Sequence, residues 1–253
     1  MEIKRGSVTP VDLTGQADGD YIRNDGGVYK PRTAGQVIRD LLYQDLWQQV
    51  EINDLFFTHS AFTNTGRYRG DAGWRWRAVE TSTTANSTAR LSIRNAAALS
   101  FGQTYTLIDW RKVVAISFRV QVLSPTASTA NSQKWIYWGD KHDDAVQDPT
   151  RKGIGIRCDQ NAIFGITHNG TTLTSVATGQ VLNGAILVDV FILSDGVGNV
   201  DWYINGVLRA SSANGPAALG TAEENCIRMY LTNGADASNN VWSCHAMNIY
   251  VEQ

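Results

Sequence analysis

Cysteine is rare in this sequence, and its placement excludes two common ways of stabilising a small fold. The 253 residues include only Cys158, Cys226 and Cys244, an odd number of thiols that lie far apart. Such spacing does not favour a disulfide framework or a zinc site. We therefore predict small buried thiols with a structural role.

Charge of either sign is sparse, and long apolar runs are missing. Charged residues make up 18% of the chain, and the formal net charge is −2. A general nucleic-acid binder usually presents a basic face, so we predict no nucleic-acid partner.

No run approaches the roughly 20 apolar residues of a membrane span, and residues 1–10 lack the apolar core of a secretory signal. We expect synthesis in a reducing cytoplasm and no membrane insertion.

The patterns that would mark an enzyme are also missing. A glycosidase places two carboxylates across the scissile bond, yet no glutamate is followed by an aspartate two positions on within a credible strand. The glutamates are Glu2, Glu51, Glu80, Glu223, Glu224 and Glu252. No serine elbow, phosphate-binding loop or dinucleotide fingerprint occurs. We predict a protein that is not an enzyme and has no catalytic residues, although a carboxylate pair assembled from separate strands stays open.

Two acidic stretches have the oxygen atoms that calcium prefers but lack the spacing of a known calcium loop. The first runs from Asp140 to Asp148, and the second from Asp18 to Asp25. In the second, Ile22 occupies a ligand position of the EF-hand pattern, which excludes that site. We predict solvated loops, with no metal and no cofactor.

The chain does contain many short strand patterns separated by turn residues. Val113–Leu123 alternates apolar and polar residues, which is typical of a half-buried strand. Ile186–Ser212 predicts a meander of three strands, Ile186–Ser194, Val200–Ile204 and Val207–Ala210, with Asn205-Gly206 as a hairpin turn. Further strands are predicted at Gly73–Ala78, Arg90–Arg94, Gln103–Ile108, Trp135–Trp138, Gly153–Cys158, Ala162–His168, Thr171–Val176, Cys226–Thr232 and Val241–Val251. About a dozen such strands predict an all-β sandwich of two antiparallel sheets.

The N-terminal part, residues 1–51, lacks the short strand patterns of the rest of the chain. Residues 1–32 are polar and extended, and they cannot bury a core of their own. Thr33 and Gln36 form a capping box, and apolar residues then recur at helical spacing, which predicts one short amphipathic helix over Thr33–Glu51. The apolar stripe consists of Val37, Ile38, Leu41, Leu42, Leu46 and Val50. Two alternatives stay open for this stripe: it packs on the sandwich, or it associates with copies of itself.

The segments Gly153–Ile156, Leu187–Leu193, Val200–Ser211 and the terminal MNIYVEQ resemble the second half of a concanavalin A-like lectin/glucanase jelly roll. The resemblance covers residues 55–253 and implies a jelly-roll sandwich. Lectins, laminin-G modules, glycosidases and purely structural domains all use this fold, so the fold alone does not fix the function. The glucanases of the family carry E-x-D-x-x-E or a close variant on one strand, and this chain does not.

The segment Gly19–Leu42 resembles the anchoring ends of tailed-bacteriophage fibre and decoration proteins. That resemblance implies a structural virion protein, either a head fibre, a capsid decoration protein or a tail-fibre component. Residues 1–32 would bind other virion proteins, and the chain would assemble as a homotrimer. The residues expected to anchor or oligomerise are Tyr21, Tyr29, Val37, Ile38, Leu41, Leu42 and Leu46.

Aromatic residues beside polar loops are candidates for stacking on a sugar ring. They are Trp74, Trp76, Trp135, Tyr137 and Trp138. We predict a glycan site at the end of a strand where loops gather, formed by Trp138, Asp140, His142 and Asp143. The alternative is that most of these rings belong to the core, since large rings are usually buried. The function classes are thus a virion structural protein, a lectin-like receptor-binding module and, third, a glycoside hydrolase using Asp143 or Asp144.

Overall fold

The protein is an all-β sandwich of two antiparallel sheets, which confirms the predicted fold class. A computed structural model describes residues 21–25, 28–32, 47–50, 58–63, 67–70, 76–94, 108–122, 132–140, 148–182, 186–220, 225–235, 237 and 240–252. The described residues form seventeen strands. None of them belongs to a helix that is long and apolar enough to cross a membrane.

One layer of the sandwich is a sheet of seven strands. In spatial order they are β12 (Leu173–Val181), β11 (Ala162–His168), β10 (Gly153–Asp159), β9 (Gln133–Asp140), β16 (Asn225–Thr232), β7 (Thr88–Arg94) and β4 (Thr58–Thr63). All neighbouring pairs are antiparallel. The sheet therefore joins strands that are distant in sequence, as β9 and β16 are.

The other layer is a sheet of eight strands. Its main path runs β15 (Val207–Ser212), β14 (Val200–Ile204), β13 (Val188–Ser194), β8 (Val114–Val122), β17 (Val241–Glu252), β6 (Trp76–Glu80) and β5 (Arg67–Gly70). The eighth strand, β3 (Trp47–Val50), pairs with the last residues of β17. A separate hairpin of β1 (Tyr21–Asp25) and β2 (Val28–Arg32) pairs with neither large sheet.

Turn chemistry explains why the meander predicted from Ile186 to Ser212 is present. Asn205 and Gly206 have φ angles of 52° and 79°, which only turn-forming residues adopt readily. The Asn205 side chain also accepts a hydrogen bond at 3.0 Å from the backbone N–H of Asp189. This bond ties the β14–β15 turn to the start of β13.

The core lies between the sheets and is built from the inward positions of alternating strands. The predicted inner face of β8, formed by Val114, Ile116, Phe118, Val120 and Val122, is buried throughout. The meander contributes Trp202 and Ile204, which are also buried. These residues confirm that strand alternation carries the fold.

Trp202 crosses the core and fixes the spacing between the two layers. Its indole N–H donates a 2.8 Å hydrogen bond to the carbonyl of Gly155 in the opposite sheet. A Cβ atom at Gly165 would overlap the Trp202 indole, so glycine is required there.

Cys158 and Cys244 are free and buried, as predicted, and burial raises the pKa of Cys158 to about 12.

The predicted helix over Thr33–Glu51 is wrong at its C-terminal end, because Trp47–Val50 forms strand β3. The reason lies in β17, where the register shifts after His245 and Ala246 takes a positive φ of 49°. Strand β6 pairs with β17 only from Val241 to His245. The backbone of β17 from Ile249 onward pairs with β3 instead. The sandwich therefore includes residues 47–50, which lie N-terminal to the predicted boundary at 55.

Several predictions concern residues outside the described part of the chain. Among the predicted site residues these are Val37, Ile38, Leu41, Leu42, Leu46, Trp74, His142 and Asp143. Tyr21 and Tyr29 are placed, on β1 and β2.

Candidate functional site

The residues of β9 separate into two faces with different environments. Ile136 and Trp138 point inward and join the main core, whereas Trp135 and Tyr137 point outward and belong to a second apolar cluster. This is the two-residue alternation of a strand. This face of the seven-stranded sheet, which we call its outward face, is aromatic, and the rings of Trp135, Tyr137 and Tyr230 on it are themselves buried.

Two residues of the predicted glycan site lie on the wrong side of this strand. Trp138 is 4% exposed, and its ring lies 5.0 Å from the ring of Trp110 inside the sandwich. Asp140 is fully buried, and its Oδ1 accepts a 3.5 Å hydrogen bond from the Trp110 indole. The prediction that Trp138 and Asp140 face a ligand is therefore wrong, because alternation places both residues inward.

A cross-strand row defines the outward face. We call it the aromatic–arginine ladder, and it consists of Phe164, Arg157, Trp135, Tyr230 and Arg90. Backbone pairing places each member directly opposite the next across β11, β10, β9, β16 and β7. Directly opposed residues on one face contact each other, so the ladder is one continuous row of side chains.

Arginine and aromatic side chains stack along the ladder. The guanidinium carbon of Arg157 lies 5.2 Å from the ring centroids of both Trp135 and Phe164. The guanidinium carbon of Arg90 lies 5.5 Å from the ring centroid of Tyr230. Arg228, one position along β16, lies at 5.5 Å from the same ring. Contacts of this kind hold the guanidinium groups in place.

A row of buried groups lies next to the ladder and supports it. Tyr137 donates a 2.6 Å hydrogen bond to the carbonyl of Arg151, and its ring covers Gly153, where a Cβ atom would collide with it. Burial raises the pKa of Tyr137 well above its ordinary value. Burial also raises the pKa of Tyr230, against the opposing charges of Arg90 and Arg228.

Several polar atoms of the ladder have no hydrogen-bond partner within the described residues. They are Nε of Arg90, Nε1 of Trp135 and Nε of Arg157, together with Oδ1 of the neighbouring Asp159. The other carboxylate oxygen of Asp159 forms a 2.8 Å ion pair with Arg157. Buried polar groups are nearly always hydrogen-bonded, so this group of buried exceptions is unusual.

The ladder is most open toward β12, at the edge of the sheet. Ala177 pairs with Phe164, and Ser175 pairs with Ile166 in the next row. Both β12 side chains are small and exposed. Phe164, Arg157 and Asp159 are half-buried, so this end of the ladder is the part that solvent reaches.

The arrangement suits binding better than chemistry. Ring faces, guanidinium donors and one carboxylate provide stacking and hydrogen bonds on a rigid sheet. Among the residues whose placement is described, no group of three or more His, Cys, Asp or Glu side chains could hold a metal ion. Of the histidines, His168 lies on this face, where burial lowers its pKa and its Nδ1 accepts a bond from Gly170 N–H.

Sequence reasoning found part of this face and missed the rest. It named Trp135 and Tyr137 among the aromatic candidates but placed the site on their inward neighbours. It missed Arg157, Phe164 and Tyr230 entirely. Alternation within β9 was a usable signal, since Trp135 and Tyr137 are two residues apart. The pairing of β9 with β16 was not readable, because those strands are distant in sequence.

Comparison with known proteins identifies the fold and nothing finer. No family model and no curated protein matches the sequence. Among solved structures, the carbohydrate recognition domain of Emp47p has a TM-score of 0.50 and 10% identity, covering 83% of this chain and 90% of that one. The corresponding domain of Emp46p has a TM-score of 0.49 and 8% identity, covering 76% and 88%.

The binding domain of botulinum neurotoxin DC in complex with rat synaptotagmin II is also similar. It has a TM-score of 0.48 and 10% identity over 92% of this chain, but only 48% of that chain is covered. The chain thus spans about half the length of the neurotoxin domains it matches. At such low identity, the likeness to the Emp47p domain shows a shared β-sandwich fold, and no more.

Proposed function

We propose that this protein is a non-enzymatic component of a tailed-bacteriophage virion that displays its sandwich as a lectin-like module and binds glycans on the host surface. The observation that carries the binding part is the aromatic–arginine ladder on the outward face of the seven-stranded sheet. At its open end, the half-buried side chains of Phe164, Arg157 and Asp159 combine a ring, a guanidinium and a carboxylate, which are features of a recognition surface.

Sugar chemistry matches this surface. The C–H face of a pyranose packs on an aromatic ring, and its hydroxyl groups pair with guanidinium donors and carboxylate acceptors. Phe164, Arg157 and Asp159 provide one of each at the open end of the ladder. The similar domain of Emp47p is a carbohydrate recognition domain, which supports the same assignment here.

The virion part of the proposal rests on the N-terminal region. The β1–β2 hairpin pairs with neither large sheet, as befits a segment that binds elsewhere. We assign residues 1–32 to anchoring on other virion proteins, with the sandwich facing outward. Whether the protein lies on the head or the tail of the virion depends on which virion protein residues 1–32 bind, and not on the sandwich.

Exposed apolar side chains support the proposed homotrimer. They gather where β13 starts and the β14–β15 turn ends, two places joined by the Asp189–Asn205 hydrogen bond. They are Ile186, Leu187, Val207 and Leu208. An apolar patch of this kind at a sheet edge is well suited to self-association.

A glycan array with the full chain tests the binding part. We expect wild type to bind bacterial surface glycans and Phe164→Ala to lose the signal, since the ring supplies stacking area. Phe191→Ala, a half-buried ring on the other sheet, is the matched control and is expected to bind like wild type. An array without hits, or equal loss in both variants, contradicts the proposal.

Sedimentation and particle labelling test the virion part. We expect the full chain to sediment as a trimer, and deletion of residues 1–32 to abolish incorporation into particles while glycan binding persists. A monomer that is found on no particle contradicts this part alone.

A further inference from the structure

We infer that the open end of the ladder holds a single neutral sugar unit at the end of a glycan, and that Arg157 and Asp159 together bind two adjacent hydroxyl groups of that unit. This inference rests on the proposed glycan-binding function and adds the kind of sugar that is bound. It follows from the number of accessible rings, the closed sides of the site and its charge.

Phe164 is the ring of the ladder that a ligand can reach. Its side chain is half-buried, whereas Trp135 and Tyr230 are 2% and 4% exposed. On the side of β12, the residue opposite Phe164 is the small, exposed Ala177, and a Cβ atom at Gly179 would meet nothing within 4 Å. Because one aromatic ring stacks on one pyranose, this end of the ladder offers stacking for a single sugar unit.

Two sides of this site are closed. Trp135 lies next to Arg157 on β9, and Ile166 lies one row from Phe164 on β11, and neither residue is more than 2% exposed. A glycan therefore cannot continue over either of them. The open sides are β12 and the exposed turn residue Gln160, which meet at one corner. A unit inside a chain would have to send both of its neighbours through that corner, whereas a terminal unit needs a single exit.

Arg157 and Asp159 present a donor and an acceptor side by side. They lie two residues apart on the same face of β10, and Nη2 of the arginine is 2.8 Å from Oδ2 of the aspartate. Nε of Arg157 and Oδ1 of Asp159 are shielded from solvent, so the terminal guanidinium nitrogens and Oδ2 are the polar atoms open to a ligand. Both groups keep hydrogen-bonding capacity beyond their mutual bond, and a hydroxyl group donates and accepts. Two adjacent hydroxyl groups of a sugar fit this pair.

The charge of the site favours a neutral sugar over an acidic one. Asp159 compensates the charge of Arg157, and strands β11 and β12 contribute no Asp, Glu, Lys or Arg. Lys134 also acts on Asp159, but it is fully buried on the inner face, where its Nζ donates a hydrogen bond to the carbonyl of Gln160. A carboxylate or phosphate on the ligand would meet Asp159 as well as Arg157, and the repulsion opposes the attraction.

Ligand-observed NMR of the full chain tests the class of sugar. The neutral probes are the methyl α-glycosides of glucose, galactose and mannose, which present one unit with every hydroxyl group free except the anomeric one. The matched acidic probes are the methyl glycosides of the corresponding uronic acids, which carry a carboxylate at C6. We expect at least one neutral glycoside to bind saturably, and at least about tenfold more tightly than its acidic counterpart. Equal or tighter binding of the acid overturns the choice of a neutral sugar.

A linear hexamer of the hexose that binds best tests whether the bound unit is terminal. Because only one end of the hexamer enters the site, we expect its affinity per chain to lie within about threefold of that of the methyl glycoside. A hexamer that binds at least about tenfold more tightly makes contacts through further units, and this result overturns the single-unit inference.

Asp159→Asn locates the contact through selectivity as well as affinity. Loss of the carboxylate should weaken binding of the neutral glycoside by about threefold to tenfold. The same change should strengthen binding of the acidic glycoside, because a repelling charge is removed, so the preference between the two narrows. A folding defect would weaken both probes alike. Asp189→Asn, in the Arg119–Asp189 ion pair of the other sheet, is the matched control and is expected to leave both affinities unchanged.

The possible failures are distinguishable. If an array shows glycan binding that Phe164→Ala loses, but none of the neutral glycosides binds, the single neutral unit is overturned and the glycan-binding function stands. An unchanged preference in Asp159→Asn overturns the pairing of the hydroxyl groups with this carboxylate. Absence of binding to any glycan overturns both the inference and the proposed function.

Discussion

The two outward faces of the sandwich use similar residues in different ways. On the eight-stranded sheet, Arg119 and Asp189 form a 2.6 Å ion pair in which both side chains are more than half exposed. Phe191 and Tyr203 pack edge to face beside it. On the seven-stranded sheet, arginines stack on rings instead, and three ladder donors have no partner in the described residues.

The difference lies in whether the polar groups of a face are already satisfied. A complete, solvated ion pair such as Arg119–Asp189 requires nothing more and contributes little to stability. The stacked guanidinium groups hold a fixed geometry, and at the open end of the ladder Arg157 and Phe164 are half-buried and can be reached from solvent. We therefore assign recognition to the seven-stranded sheet and a solvated surface role to the other.

The largest expected effect comes from removing a ring from each face. Trp135→Ala should lower the free energy of unfolding by about 3–5 kcal/mol, because it leaves a cavity among buried groups. Phe191→Ala should cost only about 1 kcal/mol, since that ring is half-buried. Urea unfolding of both variants measures the difference. Equal costs would show that the two faces are packed alike.

A smaller effect, with a pH signature, is expected at Tyr137. Tyr137→Phe should lower the free energy of unfolding by about 1 kcal/mol at neutral pH, because the hydrogen bond to Arg151 is lost. The folded-state pKa of Tyr137 lies above its unfolded value, so unfolding releases a proton once the pH exceeds about 10. Wild type then loses stability that the variant retains, and the gap should close as pH rises. A gap that widens above pH 10 would contradict the burial of this hydroxyl.

The smallest effect concerns the two ion pairs. A double-mutant cycle on Arg119 and Asp189 should give a coupling below about 1 kcal/mol that salt largely removes. The same cycle on Arg157 and Asp159 should give a larger coupling with less salt dependence, because these side chains are only 21% and 32% exposed. If the first coupling proves the larger, the contrast between the faces fails.

The fold was predictable because its signals are local. Alternation in β8 and the Asn205-Gly206 turn each depend on a few adjacent residues, and both are present as expected. The predicted helix failed at Trp47–Val50 for a non-local reason. Its partner, the end of β17, lies about 200 positions away along the chain. Tertiary pairing there overrides the helical spacing of the apolar residues.

The site was only half predictable for the same reason. Trp135 and Tyr137 could be recognised as an aromatic pair from their spacing. Which of the two faces of β9 packs against the other sheet, and therefore which of its rings face outward, could not. The ladder also needs Tyr230 beside Trp135 and Phe164 beside Arg157. The second pairing is a local hairpin, whereas the first depends on the order of strands in the sheet. Sequence spacing alone does not encode that order.

Hydroxyl-radical footprinting of the full chain tests the central claim most directly, with and without a bacterial surface glycan that binds on the array. Phe164 and Phe191 are both half-buried and lie on opposite faces, so each serves as the reference for the other. We predict that the ligand reduces oxidation of Phe164 severalfold and leaves Phe191 unchanged. Protection of Phe191, or binding that leaves Phe164 equally oxidised, would contradict the assignment of recognition to the seven-stranded sheet.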